Sequence, residues 1–295
     1  MLKKPIVCVV GSINMDLTVS TKEMPMQGET TIGGEFATYP GGKGANQAVA
    51  AARLGANVNM IGAVGKDPFG ETLLKHLKSE GVSVSGIHTI PDIATGVATI
   101  ILTENDNRII VSSGANRMVT PEVVELYRSL IEESDVLLLQ LEIPIETVMY
   151  AARLAHACNI PVVVNPAPYQ DLPIELVEKV TYLTPNEIEK ESMKKHFNTS
   201  SNRKTITTRG DSGVQFFEGD EKKYLPSHHV KVIDTTGAGD TFNGALALKL
   251  GNGEKVSDAI MFANAAAALS ITKVGAQGGM PTMKEVEEFL REEVK

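Results

Sequence analysis

The sequence predicts an α/β fold: a three-layer arrangement with a mostly parallel central sheet, helices on both faces, and a small β-sheet lid. Three observations carry this reading. Short apolar runs rich in β-branched residues end abruptly in polar residues or glycine, as buried parallel strands do where they open into loops. Helical patterns alternate with those runs, which implies parallel strands joined by crossover helices. Two further stretches break the rhythm with shorter strand patterns.

In chain order, Ile6–Val10 is the first apolar run and ends at Gly11. Residues 136–141 end in Glu142, Val162–Val164 ends in Asn165-Pro166, and residues 182–184 end in Pro185-Asn186-Glu187. Helical spacing of apolar residues covers 45–54, 69–80, 121–132, 145–158, 241–250 and 256–272. The two irregular stretches, about 16–39 and 96–112, alternate like half-exposed antiparallel strands, the second around a turn at Glu104-Asn105-Asp106-Asn107. A small sheet of this kind suits a lid or a dimer surface, because its outward apolar positions favour burial against a partner. No Pro/Gly linker divides the chain, so residues 1–295 are expected to form one α/β domain carrying the lid.

The 295 residues are 42% hydrophobic and 22% charged, within the globular range. A net charge of −8 without a basic run argues against a nucleic-acid partner, which requires concentrated positive charge. Cys8 and Cys158 are the only cysteines, too few for a disulfide framework, and fit a reducing cytoplasm. Asn14 and Asp16 follow the first apolar run too soon for a secretory segment, and no run approaches the roughly 20 residues of a spanning helix. A soluble protein without a membrane partner is expected. The Met and Phe positions read as core filling.

Ligands of open α/β sheets gather beyond the carboxyl ends of the strands, where Asn14, Asp16, Glu142, Asn165 and Asn186 stand. Each alone could equally satisfy a turn. GGKGANQAVAAARLGA, residues 41–56, opens with glycines that permit close backbone approach and continues as an Ala-rich helix. It is not a Walker A loop, since Gly44 and Ala45 follow Lys43 where Ser or Thr is needed. Gly41-Gly42 as a plain turn and Lys43 as a solvated charge remain open. DTTGAGDTFNG, residues 234–244, places Gly237, Ala238 and Gly239 before Asp240 at a helix start. Asp240 is then either an N-cap or a carboxylate beside an anion held by backbone N–H groups. Phe242 stands where the third glycine of a dinucleotide fingerprint belongs.

Together these stretches resemble the ribokinase, or phosphofructokinase-B, family of carbohydrate kinases. GGKGAN and DTTGAGDTFNG match its two signatures, and TPNE at residues 184–187, with Glu189 completing an NxxE pattern, lies between them. GSINMD, QLEIP, NPAP and FANAAAALSITKVGAQ extend the likeness over nearly the whole chain. The resemblance implies transfer of the ATP γ-phosphoryl group to a sugar hydroxyl, with the 5-hydroxyl of D-ribose expected. Deoxyribose, another sugar, a nucleoside, or sugar and nucleotide binding without turnover are the alternatives.

Within that resemblance Asp240 takes the hydroxyl proton, and the N–H groups of Gly237, Ala238 and Gly239 stabilise the charge on the transferred group. Asn14, Asp16, Gly42, Lys43, Gly44, Asn46 and Glu142 are implied around the sugar, a set of donors and acceptors suited to hydroxyls. Asn186, Thr208, Arg209, Gly210, Asp211, Ser212, Gly213, Gly239 and Asn264 are implied at the nucleotide. Glu189, with Asn186, would act on Mg²⁺ through water; a solvated helix charge is the plain alternative. A monovalent cation, K⁺, is implied beside Asp234 and Thr236, with Ser270, Lys273 and Gly275 contributing from the following segment. Gly279 departs from the family pattern, which often has a hydroxyl residue there. Residues 188–205 are shorter than in relatives, which puts the ATP side and the sheet edge in question. His228-His229 reads as a surface pair, and a homodimer through the lid is expected.

Overall fold

The computed structural model describes residues 4–103, 107–193 and 202–293. Six strands form a wholly parallel sheet: β1 (Ile6–Val10), β4 (Asn57–Gly65), β5 (Val82–Ile90), β8 (Val136–Leu139), β9 (Val162–Val164) and β10 (Tyr182–Leu183), in the order β10-β9-β8-β1-β4-β5. Side chains of β1 alternate between two cores. Val7 and Val9 pack into one with α1 (Lys43–Arg53), α8 (Ala238–Gly251) and α9 (Val256–Ser270). Cys8 and Val10 pack into the other with α5 (Ile145–Ala157) and α6 (Ile174–Lys179). A period of two in the strand thus creates the three layers.

The expected strands at 6–10 and 162–164 match residue for residue, whereas β4 and β5 are additional. β4 reads NVNMIGAVG, where Asn59 and two glycines interrupt the apolar signal, yet it lies between β1 and β5 with most of its residues buried. The helix expected over 121–132 breaks at Tyr127 into α3 (Pro121–Leu126) and α4 (Arg128–Glu132). Tyr127 has φ −115° and its N–H donates to Val124 O, a tighter turn than the α-helical one.

The second sheet has the order β3-β2-β6-β7, from β2 (Asn14–Ser20), β3 (Phe36–Gly41), β6 (Gly96–Leu102) and β7 (Asn107–Ser112). The expected antiparallel pairing holds within each hairpin but not between them: β2 and β6 run parallel, Asn14 opposite Gly96 and Val19 opposite Ile101. The reason is topological. One hairpin leaves the carboxyl end of β1 and the other the carboxyl end of β5, so their first strands start from the same side of a parallel sheet. Residues 104–106 of the expected turn lie outside the described residues.

Beyond β10, residues 204–208 continue the sheet edge. Leu183 N donates to Lys204 O at 2.9 Å, Ile206 N to Leu183 O at 2.8 Å and Thr208 N to Pro185 O at 3.0 Å. β11 (Thr207–Thr208) then pairs antiparallel with β12 (Val214–Glu218), and β12 with β13 (Glu221–Leu225). Within the questioned segment 188–205, Lys204 and Thr205 thus meet the sheet edge at Leu183 and residues 188–193 are helical, while residues 194–201 lie outside the described residues.

Candidate active site

The site forms where the carboxyl ends of β1, β8, β9 and β10 meet the N-termini of α1 and α8. Glycines bring these elements to backbone contact. A Cβ on Gly44 would fall 2.6 Å from Ser12 N, and one on Gly244 would fall 2.7 Å from both Ala50 Cβ and Gln47 O. With α1 wedged so closely between β1 and α8, short amide side chains span the gap. Asn46 Nδ2 donates to Asp240 Oδ2 at 2.9 Å and Gln47 Nε2 to Asp240 Oδ1 at 3.0 Å. Asp240 is 8% exposed in the first turn of α8, whose N-cap is Gly237 at φ 81° without a side-chain cap bond. Its carboxylate accepts from α1 instead of capping its own helix.

Three glutamines that the sequence reading did not assign to the site, and Asn165, which it placed among the strand-end candidates, support this arrangement. Gln47 Nε2 also reaches Asn165 Oδ1 at 3.1 Å, and Gln47 Oε1 accepts from Gln140 Nε2 at 2.7 Å. Asn46 Oδ1 accepts from Gln277 Nε2 at 2.8 Å. Gln140 Oε1 is buried without a hydrogen-bond partner among the described residues, against Gly11, where a Cβ would fall 2.1 Å from it. Gln47 lies inside the quoted stretch 41–56, Gln140 and Asn165 are strand-end polar residues, and Gln277 closes the quoted stretch 262–277 but stands at no strand end or helix start.

On the outer side of Asp240, Glu142 Oε2 accepts from Ser12 Oγ at 2.5 Å and from Lys43 N at 3.1 Å. Asn14 is 2% exposed, and its Oδ1 accepts from Asn116 Nδ2 at 2.7 Å. Gly41 and Gly42 do more than turn the chain. A Cβ on Gly41 would fall 2.3 Å from Asp16 Oδ2, and Gly42, at φ 88°, leaves room for Asn14 N, 2.7 Å from where its Cβ would be. Burial pushes the Asp16 pKa up to about 7, reinforced by the like charges of Glu142 and Asp240 and opposed by Lys43. Burial works against the Lys43 ammonium, but Asp240, Glu142, Glu189 and Asp16 together hold its pKa above the usual lysine value. Lys43 is accordingly not a solvated surface charge.

A cavity of about 880 Å³ opens on the other side of the α8 N-terminus. Thr208, Gly210, Asp211 and Gly213 line it from the β11–β12 turn, Ala238 and Gly239 from α8, and Asn264 from α9. Nothing lies within 4 Å of where a Cβ on Gly239 would be. Three of the implied nucleotide residues do not line this cavity. Arg209 Nε donates to Glu187 Oε1 at 2.7 Å, Ser212 Oγ to Asp211 Oδ1 at 3.4 Å, and Asn186 is engaged with Glu189. His228 and His229 do line it: His229 is exposed, as the surface reading expects, whereas the half-buried His228 ring meets Phe289 edge-on at 5.2 Å.

Residues 233–236 are tied to the segment after α9. Asp234 Oδ1 accepts from Thr236 N at 2.9 Å and Oδ2 from Gly275 N at 2.8 Å. Burial disfavours its charge, but the bonds from Thr236 and Gly275 hold the pKa below the usual carboxylate range. Lys273 Nζ turns to Glu285 Oε1 at 3.1 Å. A Cβ on Gly279 would fall 1.9 Å from Ser270 O, so the backbone here leaves no room for the hydroxyl side chain of the family pattern. Backbone carbonyls of such a loop are hard oxygen donors, the type that suits K⁺. Among the described residues no cluster of three or more His, Cys, Asp or Glu could hold a metal ion, and no helix is long and apolar enough to cross a membrane.

A polar pocket and a large cavity meeting at a glycine-opened helix N-terminus, beyond the carboxyl ends of a parallel sheet, define a small-molecule phosphotransferase architecture. The pfkB family carbohydrate kinase model matches residues 4–283, and the chain belongs to that family. It is 45% identical to the ribokinase of Bacillus subtilis (strain 168) over 289 residues, covering 96% of this chain and 99% of that one. Identity to the ribokinase of Lactococcus lactis subsp. lactis (strain IL1403) is 46% over 297 residues, 97% of each chain. The ribokinase of Arabidopsis thaliana solved with ribose and ATP superposes with a TM-score of 0.90 at 29% identity, covering 98% of this chain and 99% of that one.

Proposed function

We propose that this chain is an ATP:D-ribose 5-phosphotransferase, yielding ribose 5-phosphate and ADP. The observation that carries the mechanism is the position of Asp240, buried between the pocket bearing Lys43 and Glu142 and the cavity lined by Gly239. A hydroxyl bound in the first meets a phosphoryl group presented in the second. Asp240 orients that hydroxyl and takes its proton, while the Gly239 N–H, joined by those of Gly237 and Ala238 once the 3.3 Å bond from Ala238 N to Thr235 O opens, would stabilise the charge that develops on the phosphoryl oxygens. Asn14, Asp16, Lys43 and Asn46 bond the sugar hydroxyls. The supporting comparison is full-length identity of 45% and 46% to two ribokinases.

Mg²⁺ enters with ATP. The half-buried Glu189 carboxylate, at the start of α7 (Glu187–Met193), suits an outer-sphere role toward a hydrated cation, which would supply neutralisation of phosphate charge. K⁺ would be held by carbonyls of the 234–236 and 270–279 segments with Asp234 bracing them. The four-stranded sheet acts as the lid of one ribokinase-like unit, closing to exclude water from the phosphoryl group. Its exposed Phe36, Ile109 and Ile110 fit a second copy of the chain in a homodimer. ATP as co-substrate and two free cysteines are in keeping with a cytoplasmic enzyme.

ADP release measured with ribose, deoxyribose, fructose and adenosine, with Mg²⁺ and with or without K⁺, tests the reading. Turnover greatest with ribose is expected. Greater efficiency with another acceptor would reassign the substrate, and ribose binding without turnover would leave a binding protein.

A further inference from the structure

Asp240 Oδ2 stands at the end of a chain of side-chain contacts that crosses four segments of the fold. His76 on α2 (Pro68–Ser79) brings Nε2 to 2.6 Å from Gln277 Oε1, Gln277 Nε2 donates to Asn46 Oδ1 at 2.8 Å, and Asn46 Nδ2 donates to Asp240 at 2.9 Å. Gln277 is 6% exposed and Asn46 is 6% exposed, so water competes little for these bonds. An amide has one accepting and one donating end. Because Gln277 gives its NH₂ to Asn46, its carbonyl oxygen faces His76, which must therefore carry its proton on Nε2. Because Asn46 Oδ1 accepts from Gln277, its NH₂ is left for Asp240. The backbone of Gln277 is held as well: Arg53 Nη1 donates to Gln277 O and, at 3.3 Å, to Met280 O, while Arg53 forks onto Glu80 at 2.7 and 2.8 Å.

We infer that Gln277 is a positioning residue for the reaction: its donor anchors the oxygen end of the Asn46 amide, so that the NH₂ end is held where it orients the Asp240 carboxylate. The acceptor-only carboxylate selects the NH₂ end of Asn46 by itself, but without the Gln277 donor the amide is tethered at that end alone and its buried oxygen is left unpaired, so the side chain shifts and the carboxylate with it. The inference rests on Asp240 being the base of the proposed phosphoryl transfer.

The test combines Gln277→Met, which keeps the length without the amide, and Gln277→Glu, which keeps the acceptor toward His76 without a donor toward Asn46. Both are expected to lower kcat on the order of 10–100-fold, the cost of a small misplacement of a reacting group, and to lower the melting midpoint by a few degrees, because buried Asn46 Oδ1 loses its donor. In a double-mutant cycle, Gln277→Met added to Asn46→Ala is expected to cost nothing further, since Gln277 acts through that amide. Wild-type kcat in both single variants, or losses that multiply in the double variant, would overturn the assignment. The crystal structure of ligand-free Gln277→Met decides the matter independently of turnover: an Asn46 side chain and Asp240 carboxylate displaced from their 2.9 Å contact support it, and both unmoved overturn it. Absence of ribose turnover in the wild type would overturn the functional reading alone.

Discussion

Asn186 and Glu189 cap one another: Asn186 N donates to Glu189 Oε2 at 2.8 Å, and Glu189 N donates to Asn186 Oδ1 at 2.8 Å. This reciprocal box starts α7 (Glu187–Met193), so the NxxE pattern has a local structural purpose alongside any role toward Mg²⁺. The two purposes separate by substitution. Glu189→Gln retains the cap and is expected to leave the melting midpoint unchanged while raising the Mg²⁺ concentration needed for half-maximal rate. Glu189→Ala removes both and costs about 1 kcal/mol of stability besides. Thermal melts and Mg²⁺ titrations of the two variants check this.

Replacing Asp240 by Asn is expected to lower kcat by about 10²–10⁴-fold, the usual contribution of a general base, with ribose still bound in a calorimetric titration. The new amide would also confront the N–H donors of Asn46 and Gln47, so one of those donors loses its acceptor.

Asp16 is expected to couple ribose binding to pH. Its folded-state pKa of about 7 lies above the ordinary 3.8, so the folded protein holds this proton more tightly than the unfolded chain. Stability from this group is complete below pH 4 and lost as pH rises through about 7. Asp16→Asn is expected to raise the melting midpoint of the ligand-free protein at pH 8 by roughly 10 °C, each pKa unit being worth about 1.4 kcal/mol and each kcal/mol about 2–4 °C at this size. The same variant raises the KM for ribose, because the carboxylate no longer accepts from hydroxyls. In the wild type, ribose affinity should fall as pH drops below 7.

Gly279→Ser would restore the hydroxyl of the family pattern but drives a Cβ toward Ser270 O, 1.9 Å away. The expected outcome is a loss of about 1–3 kcal/mol and no gain in K⁺ activation, measured by melting and by rates with K⁺ or Na⁺.

Ile110, 66% exposed on the outer sheet, tests the dimer. Ile110→Lys is expected to shift sedimentation toward a monomer and to weaken ribose turnover at low protein concentration, while a wild-type profile that is already monomeric would remove the proposed interface.

Local sequence carried much of this. The β-branched run of β1 and the three valines of β9 were legible because their signal is uninterrupted, whereas the glycines and asparagines of β4 hid a strand that is among the most buried. The pairing of β2 with β6 depends on where two distant hairpins leave the main sheet, and no property of either hairpin encodes it. The candidate site divides along the same line. Asp240, Lys43 and Asn46 lie in short stretches whose glycines and charges read as chemistry, but Gln277 reaches Asn46 across 231 positions.

By itself, then, the amino-acid sequence determined the layer order, the family and the residues that stand at strand ends and helix starts, because those follow from periodicity and from local turn chemistry. Only the tertiary structure decided that Asp240 faces α1 and not its own helix cap, that Asp16 loses its ordinary acidity, and that Gly279 has no room for a side chain. Each of those depends on burial and on backbone contact between segments far apart in the chain, quantities that exist only once the layers have packed.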